Sequence, residues 1–376
     1  MKKSTEESAL LGLYIVLAVL TVALIAAIAV LVIHITGGDG TEVDIPDTTA
    51  ESTDRAEETE PVSEKETEAP EPEYREIVMT FVGDCMLSSK YGAKGMWYFN
   101  DFAPTKDPEY FFKNVGKYFQ NDDFTIANCE NVFSSADLSP VAKNHSPAYW
   151  YKSDPKFANI FKVGSVEILS VSNNHVGDFG KQGEIDTKAA LDAQGLIWGD
   201  ASKPIILEKY GIKIAILMCN MYNESQAAPI IKWLEEVKEQ SDFQIVYFHG
   251  GTERIYEPEA WKKRACRKLV DSGADLVIGS HPHVLQPYEE YNGAEIIYSM
   301  GNFLFGGAHQ TDNRTIIFQK TLRVKDEKII LTDSKIVPCF EYINYDYIWQ
   351  PTPMEEGSPE YEKIMSFMHG KSASPK

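Results

Sequence analysis

The chain has 376 residues, 43% of them hydrophobic, which allows one large domain or two ordinary ones with a sizeable core. A net charge of −20 argues against nonspecific nucleic-acid binding through phosphate contacts. Five cysteines without a Cys-x-x-Cys spacing argue against a thiolate zinc site and against a disulfide framework.

Residues 1–8 carry Lys2 and Lys3 ahead of an apolar run of 25 residues, Ala9–Ile33. A helix there is ~37 Å long at ~1.5 Å per residue, enough to cross a ~30 Å hydrocarbon core with some tilt. A secretory apolar region is usually only ~7–15 residues, so the run reads as a retained signal-anchor, a transmembrane helix at 9–33. No Lys or Arg follows until Arg55. The positive-inside rule then puts residues 1–8 in the cytoplasm and everything after Gly37 outside, as expected for a single-pass protein of the cell membrane. Small residues in the run, Gly12 and Ala18 among them, permit packing against other membrane helices, although lipid contact accounts for them equally well.

Residues 34–75 read as a disordered acidic linker. Between Gly37 and Tyr74, fourteen Asp and Glu face only Arg55 and Lys65, a net of −12. The first 36 residues sum to zero, so the remainder from Arg75 onward carries only −8.

From Glu76 the pattern becomes strand, helix, strand, and a domain is expected over 76–340 with a C-terminal extension over 341–376. Ile77–Val82 reads as a strand, followed by a helix containing Tyr110, Phe111, Val115, Tyr118 and Phe119. Phe124–Ala127 and Val166–Val171 read as strands, and Gln182–Gln194 as a helix ended by Gly195 and carrying Ile185, Ala189 and Leu191. A hairpin is expected at Ile205–Lys209 and Ile212–Cys219, turning at Tyr210-Gly211. A helix around Ile231–Val237 leads to the strand Phe243–Phe248, and the helix Pro258–Ser272 leads to the strand Asp275–Ile278. Beyond that, Gln286–Tyr291, Ala294–Ser299, Arg314–Val324 and Lys328–Val337 alternate as antiparallel strands, with turns at Asn292-Gly293 and Asp326-Glu327. The last twenty residues read as a short polar helix and a tail.

The functional signal lies at the carboxyl-terminal tips of the early strands. These tips carry Asp84, then Asn128 and Glu130, then Asn173, Asn174 and His175, then His249, then His281 and His283. One strand-end Asp is ordinarily a turn or cap. Five successive tips bearing carboxylate, amide and imidazole match the mixed oxygen and nitrogen set of a divalent transition metal. At the carboxyl ends of strands in an open α/β sheet, such residues meet where ligands bind. His175 has a plainer reading as a side chain capping the following helix. Cys85 and Cys129 flank two proposed ligands and read as small buried side chains, with a disulfide between them left open. Gly83 is expected to allow close backbone approach to a bound group.

This order of tips resembles the calcineurin-like metallophosphoesterases, and more closely their poly-γ-glutamate capsule synthesis CapA branch. The matching stretches are Gly83-Asp84-Cys85-Met86, Asn128-Cys129-Glu130, Asn173 to Gly180, His249 to Glu253, Gly279 to His283 and Tyr298 to Phe303, with Thr187 and Gly199 also in place. The resemblance covers about Ile77 to Val337. It implies an α/β fold, a four-layer αββα sandwich with a metal centre at the edge of two packed sheets. It also implies Mn, Zn, Fe or Mg as cofactor, one or two ions. Asp84, Glu130 and His283 would hold one ion, and Glu130, Asn174, His249 and His281 the other. His175 would act as the catalytic proton donor, oriented by Asp178. Asn128, Asn173 and Glu253 would support ligands or substrate, Glu253 by orienting His249 if it is not simply exposed.

Three departures stand out. Met86 occupies the place of a family His and, as a soft thioether, reads as packing or pocket wall. Glu130 replaces a bridging Asp, and Gly250 replaces a usual Trp.

The leading expectation is therefore a membrane-anchored extracellular protein of capsule biosynthesis or export with a phosphoesterase-like hydrolase site. Its partners would be an anionic polymer or phosphoester substrate and a membrane-bound capsule synthesis complex. Two alternatives are a surface metallophosphodiesterase unrelated to capsule and a non-catalytic binding module whose metal site has decayed.

Overall fold

In the computed structural model the described residues are 73–307, 312–343 and 349–376. The apolar run 9–33, residues 1–8 and the linker up to residue 72 lie outside them. Among the described residues no helix is long and apolar enough to cross a membrane.

Two mixed sheets form the frame. In the first, β1 (Arg75–Met86) is central. Parallel to it on one side run β2 (Phe124–Cys129), β5 (Ile168–Ser170) and β6 (Ile197–Gly199). On its other side β14 (Arg314–Lys325), β15 (Lys328–Phe340) and β16 (Thr352–Pro353) follow, each antiparallel to the strand before it. A short strand absent from the sequence reading, β13 (Asn302–Phe305), pairs with β1 in parallel. The ribbon β3 (Val132–Phe133) and β4 (Lys152–Ser153) stands apart, with residues 134–151 looping between its strands.

The second sheet has the order β11 (Leu285–Tyr291), β12 (Ala294–Met300), β10 (Leu276–Ser280), β9 (Phe243–His249), β8 (Ile212–Asn220), β7 (Ile205–Lys209). Its inner strands are parallel, and its two edges are closed by antiparallel hairpins. Those hairpins turn where the sequence placed them, with Tyr210-Gly211 and Asn292-Gly293 all at positive φ.

Side-chain alternation stacks these sheets. Ile77, Met79, Phe81 and Ile126 of the first sheet share one core with Ile214, Ile245, Tyr247, Leu276 and Ile278 of the second. The opposite face of the first sheet packs Ala127 and Leu169 against Phe112 from a turn and Phe161 and Leu191 from helices. The opposite face of the second packs Val246 and Val277 against Ile230, Leu234 and Leu269. Two sheets with helices on both outer faces is thus a mixed α/β, sheet-rich architecture. Among the described residues every core residue lies between Ile77 and Met368, within the compact unit Pro70–Lys376, so the unit carries its own interior.

The helices depart from the sequence pattern in instructive ways. The single helix expected around Tyr110–Phe119 is broken into a 3-10 turn at Pro108–Tyr110 and one α turn, α2 (Gly116–Phe119), after the earlier turn α1 (Phe99–Phe102). Phe111, Val115 and Phe119 are nevertheless buried. After α3 (Ala158–Val163), helix α4 (Gly180–Ala193) forms where expected but buries Gly183, Thr187, Ala190 and Leu191, leaving Ile185 exposed. Helices α5 (Ala227–Val237) and α6 (Ala260–Asp271) cover the second sheet. The C-terminal helix α7 (Pro359–Met368), read as polar, is amphipathic: Ile364, Phe367 and Met368 enter the inter-sheet core.

Candidate metal centre

Strand parity explains why the tips converge. On β9, Phe243, Ile245 and Tyr247 face the inter-sheet core, and His249 continues that phase. Asn128 continues the phase of Ile126 on β2, and Ser280 that of Leu276 and Ile278 on β10. On β1 the odd residues up to Phe81 face inward, yet Cys85 lies in the outer core. Register shifts on either side of Asp84 account for the change of phase and turn this even-numbered carboxylate inward. The loop after β10 puts His281 at φ 97° and His283 at φ 56°. Left-handed non-glycine residues cost on the order of 1–3 kcal/mol each and cluster at functional sites.

All six predicted ligands meet. Glu130 Oε1 lies 3.6 Å from His249 Nε2, 3.9 Å from His283 Nε2 and 4.0 Å from His175 Nε2. It is buried and has no hydrogen-bond partner among the described residues. His249 Nε2 also faces Asn174 Oδ1 at 2.8 Å and His281 Nδ1 at 3.0 Å. One ring nitrogen can give at most one proton to these neighbours, so lone pairs are left facing one another. A cation satisfies that arrangement, and the mixed carboxylate, amide and imidazole donors suit a divalent transition metal.

Among the described residues, two groups of potential ligands are compact enough to hold an ion: Asp84 with Glu130 and His249, and Glu130 with His281 and His283. The expected groupings are also close contacts, with Asp84 Oδ2 3.5 Å from His283 Nδ1 and His281 Nδ1 3.0 Å from His249 Nε2, so Asp84 stands between His249 and His283. Glu130 is common to both groups, as the expected bridging position requires.

The surroundings hold the ligands in place. Asn128 Nδ2 donates to Asp84 Oδ1 at 2.7 Å and sits 3.1 Å from His249 Nδ1. Asp84 Oδ2 accepts the His281 backbone N–H at 3.0 Å. Asn173 Nδ2 donates to Cys129 O and Asn128 Oδ1, while its Oδ1 accepts the His175 N–H, so it is scaffold. Glu253 is exposed, and the hydrogen-bond partners of the His249 ring are Asn128, Asn174, Ser280 and His281 instead. Burial pushes the Asp84 carboxyl up, but the hydrogen bonds and charges of His249 and His283 outweigh it and hold it well below the usual range. Burial, and then the Asp84 charge, push Glu130 well above its usual value. Burial pulls His281 down, reinforced by His249 and His283.

His175 is no helix cap: the residue preceding α4 is Phe179, and it makes no side-chain cap. The ring is instead held through Nδ1, 2.8 Å from Asp178 Oδ2, leaving Nε2 towards the cluster. Burial lowers its basicity, against the pull of Asp178.

Sequence reasoning missed four contributors. Asn302 Oδ1 lies 2.9 Å from His283 Nδ1. Tyr151 sets its ring edge-on to His175, centroids 4.7 Å apart. Lys143 pairs with Asp178 Oδ1 at 2.5 Å. Tyr222 packs on His281, and its buried hydroxyl has no partner among the described residues. Only Asn302 lay in a stretch already singled out; the others come from segments without periodicity.

Two glycines and a methionine also resolve. A Cβ on Gly83 would stand 1.9 Å from Gly301 O, so the close approach there is to the chain itself and not to a ligand. A Cβ on Gly250 would stand 1.8 Å from Met221 O, which leaves no room for Trp. Met86 packs with Tyr151 and Phe305, as wall. Cys85 and Cys129 are register partners on β1 and β2, and both are free and buried.

Residues 78–307 match the model of the bacterial capsule synthesis protein PGA_cap family. The chain is 30% identical over 251 residues to the PGA biosynthesis protein CapA of Bacillus subtilis, covering 60% of this chain and 62% of that protein. It is 25% identical over 294 residues to the capsule biosynthesis protein CapA of Bacillus anthracis, covering 72% and 68%. A probable polyglutamine synthesis accessory protein of Mycobacterium tuberculosis is 24% identical over 216 residues, covering 48% and 55%. The match thus spans less than two thirds of the Bacillus subtilis relative.

Proposed function

The chain belongs to the bacterial capsule synthesis protein PGA_cap family, and on that premise we propose that it serves capsule or poly-γ-glutamate biosynthesis or export through a metal-dependent, phosphoesterase-like centre. The observation that carries this reading is Glu130 Oε1, buried without a partner and ringed by three imidazoles. The two-sheet frame with strand tips converging in the gap supports a metallophosphoesterase-type αββα sandwich. Names of relatives support the capsule context.

Asp84, Glu130, Asn174, His249, His281 and His283 would hold one or two divalent ions. Such ions supply Lewis acidity toward a phosphoryl oxygen and toward water, whose pKa falls from ~15.7 towards ~7. The chain's own part is positional. Asp178 fixes His175 Nδ1, so Nε2 is the atom that would take up a proton and, from the imidazolium that Asp178 balances, pass it to the leaving oxygen. Asn302 fixes His283 Nδ1, which turns its Nε2 towards Glu130. Tyr151 and Met86 wall the site on the His175 side.

The same reading has the domain outside the cell, anchored by the apolar run Ala9–Ile33 and spaced by the acidic linker. A domain of −8 attracts a polyanion weakly, so contact with an anionic polymer would be local to the centre. A membrane-bound synthesis complex is the proposed setting.

The test is elemental analysis of purified 70–376 together with turnover of bis(4-nitrophenyl) phosphate. Metal should co-purify or rebind, and His281→Ala and Asp84→Asn should each lower it. Full metal content in both variants would overturn the ligand assignment. Metal without turnover of any phosphoester would favour a binding module.

A further inference from the structure

We propose that Lys143 is a positioning residue for His175, acting through Asp178. The inference rests on the reading of His175 as the proton-handling group, and it concerns a loop that no sequence motif pointed to.

Asp178 is buried; both hydrogen-bonding contacts of its carboxylate fall on Oδ2, and Oδ1 has an ion-pair contact in place of a hydrogen bond among the described residues. Oδ1 takes the Lys143 ammonium at 2.5 Å. Oδ2 takes the Tyr151 backbone N–H at 2.9 Å and faces His175 Nδ1 at 2.8 Å. With Oδ1 occupied by a cation, the carboxylate cannot turn that oxygen to the imidazole, so one rotamer is held and Oδ2 is reserved for Nδ1–H. The imidazole then presents Nε2 to the cluster, 4.0 Å from Glu130 Oε1.

Lys143 is itself fixed. Its Nζ donates to Tyr149 O at 2.6 Å and sits 5.7 Å from the centre of the Trp150 ring, whose Nε1 donates to Val141 O at 2.7 Å. Val141 N–H in turn donates to Asp178 O at 2.9 Å. The loop 134–151 is therefore fastened to the His175 turn at main chain and side chain, and Tyr151 completes it by packing on the imidazole. A surface ion pair contributes little, but this carboxylate is fully buried while the lysine side chain is 16% exposed. Removing the cation leaves a buried charge free to rotate towards other donors.

A merely structural ion pair would change stability and nothing else, so the test needs readouts beyond a melting curve. In 70–376 the variants are Lys143→Met and Lys143→Arg. Turnover of bis(4-nitrophenyl) phosphate with manganese, bound manganese, and the ring-nitrogen NMR shifts of His175 in the metal-free protein are compared with the parent. Lys143→Met should lower kcat by about ten-fold or more, within the range of general acid–base contributions, with metal content unchanged. KM should move by less than about two-fold, because the group acts on the chemical step. The NMR signature of His175 should change from one Nδ1–H tautomer to a mixture. Lys143→Arg should restore both. If Lys143→Met fails to fold, Lys143→Gln replaces it, with the same expected outcomes.

Parent-like kcat and tautomer in the uncharged variant, or a Lys143→Arg no better than it, would overturn the proposal. A parent protein that neither binds metal nor turns over substrate would sink the functional reading instead. In that case the tautomer comparison alone still decides whether Lys143 orients His175.

Discussion

Glu130 Oε1 and His249 Nε2 stand 3.6 Å apart with no proton donor assigned to the carboxylate oxygen, although both side chains are wholly buried. Asp84 is close by and held ionised, so a second charge on Glu130 is disfavoured in the metal-free protein. Glu130→Gln removes the ionisable group, and with it the cost of burying it beside Asp84, at nearly constant volume. It should stabilise the metal-free protein by about 1–3 kcal/mol, read as a higher urea midpoint in the presence of chelator. Because Glu130 belongs to both ligand groups, the same variant should lose more bound metal than Asp84→Asn or His281→Ala. A destabilised metal-free variant, or one with full metal content, would contradict the account of this site.

The approach of strand ends gives a second expectation. Gly83 packs against Gly301 O, which also accepts the Asp84 N–H at 3.0 Å, and Gly250 packs against Met221 O. Backbone carbonyls cannot swing away as a flexible side chain can. Gly83→Ala and Gly250→Ala should each cost about 3 kcal/mol or more and disturb the neighbouring ligand, measured by denaturant midpoint and metal content. Gly177→Ala is the control, because nothing lies within 4 Å of its Cβ position. It should stay within about 0.5 kcal/mol of the parent.

Those contacts show why some of the site was legible and some was not. Ligand tips announce themselves because a β-branched run ending in Asp, Asn or His is a local pattern. The His175–Asp178 contact was legible too, being three residues apart on one turn. Which tips abut is a property of sheet order and of the register shifts at Asp84, which leave its carboxylate 3.6 Å from His249 Nδ1 and 3.5 Å from His283 Nδ1. Lys143 and Tyr151 reach the site from an irregular loop, where no period exists to read. Likewise α4 was found by its length and its terminal glycine, but its buried face was misjudged. Gly183 faces inward because Phe179 and Val132 lie close, Thr187 accepts the Phe133 N–H and Ala190 is buried with them, whereas Ile185 stays in solvent.

Asp122, at the entrance to β2, supplies a pH dependence away from the metal ligands. Burial raises its carboxyl to about 7, opposed by hydrogen bonds from Thr125 and Thr80 and reinforced by Glu167 and Asp123. An acid whose folded pKa lies above its unfolded value near 3.8 binds more proton in the native state between those limits. Its contribution to stability is complete below about pH 4 and falls away as pH rises through 7. Asp122→Asn should therefore flatten the decline between pH 5 and 7.5, gaining most at the upper end. Urea midpoints at the two pH values measure it, and parallel profiles for variant and parent would refute it.

Lys262 on α6 presents the opposite sign. Its ammonium is wholly buried and donates to Gly250 O at 3.0 Å and Gln286 Oε1 at 2.9 Å, so it braces the loop after His249. Burial pulls its pKa down to about 8, from an ordinary value of 10.5. Between those values the native state binds fewer protons than the unfolded chain, so this group makes stability rise with pH from about 8 to about 10.5. Lys262→Met keeps most of the stem volume and removes that slope. It also strips two buried acceptors of their donor, at a cost of about 1–3 kcal/mol near pH 7, where the charged form is bound. The loss should shrink if the Gly250 carbonyl finds water, and it should be accompanied by weaker metal retention because His249 is the adjacent residue. Denaturant midpoints at pH 7 and pH 9.5, with metal content at pH 7, measure both. A variant as stable as the parent at pH 7, with an unchanged slope above pH 8, would show that this lysine is neither charged in place nor bracing the loop.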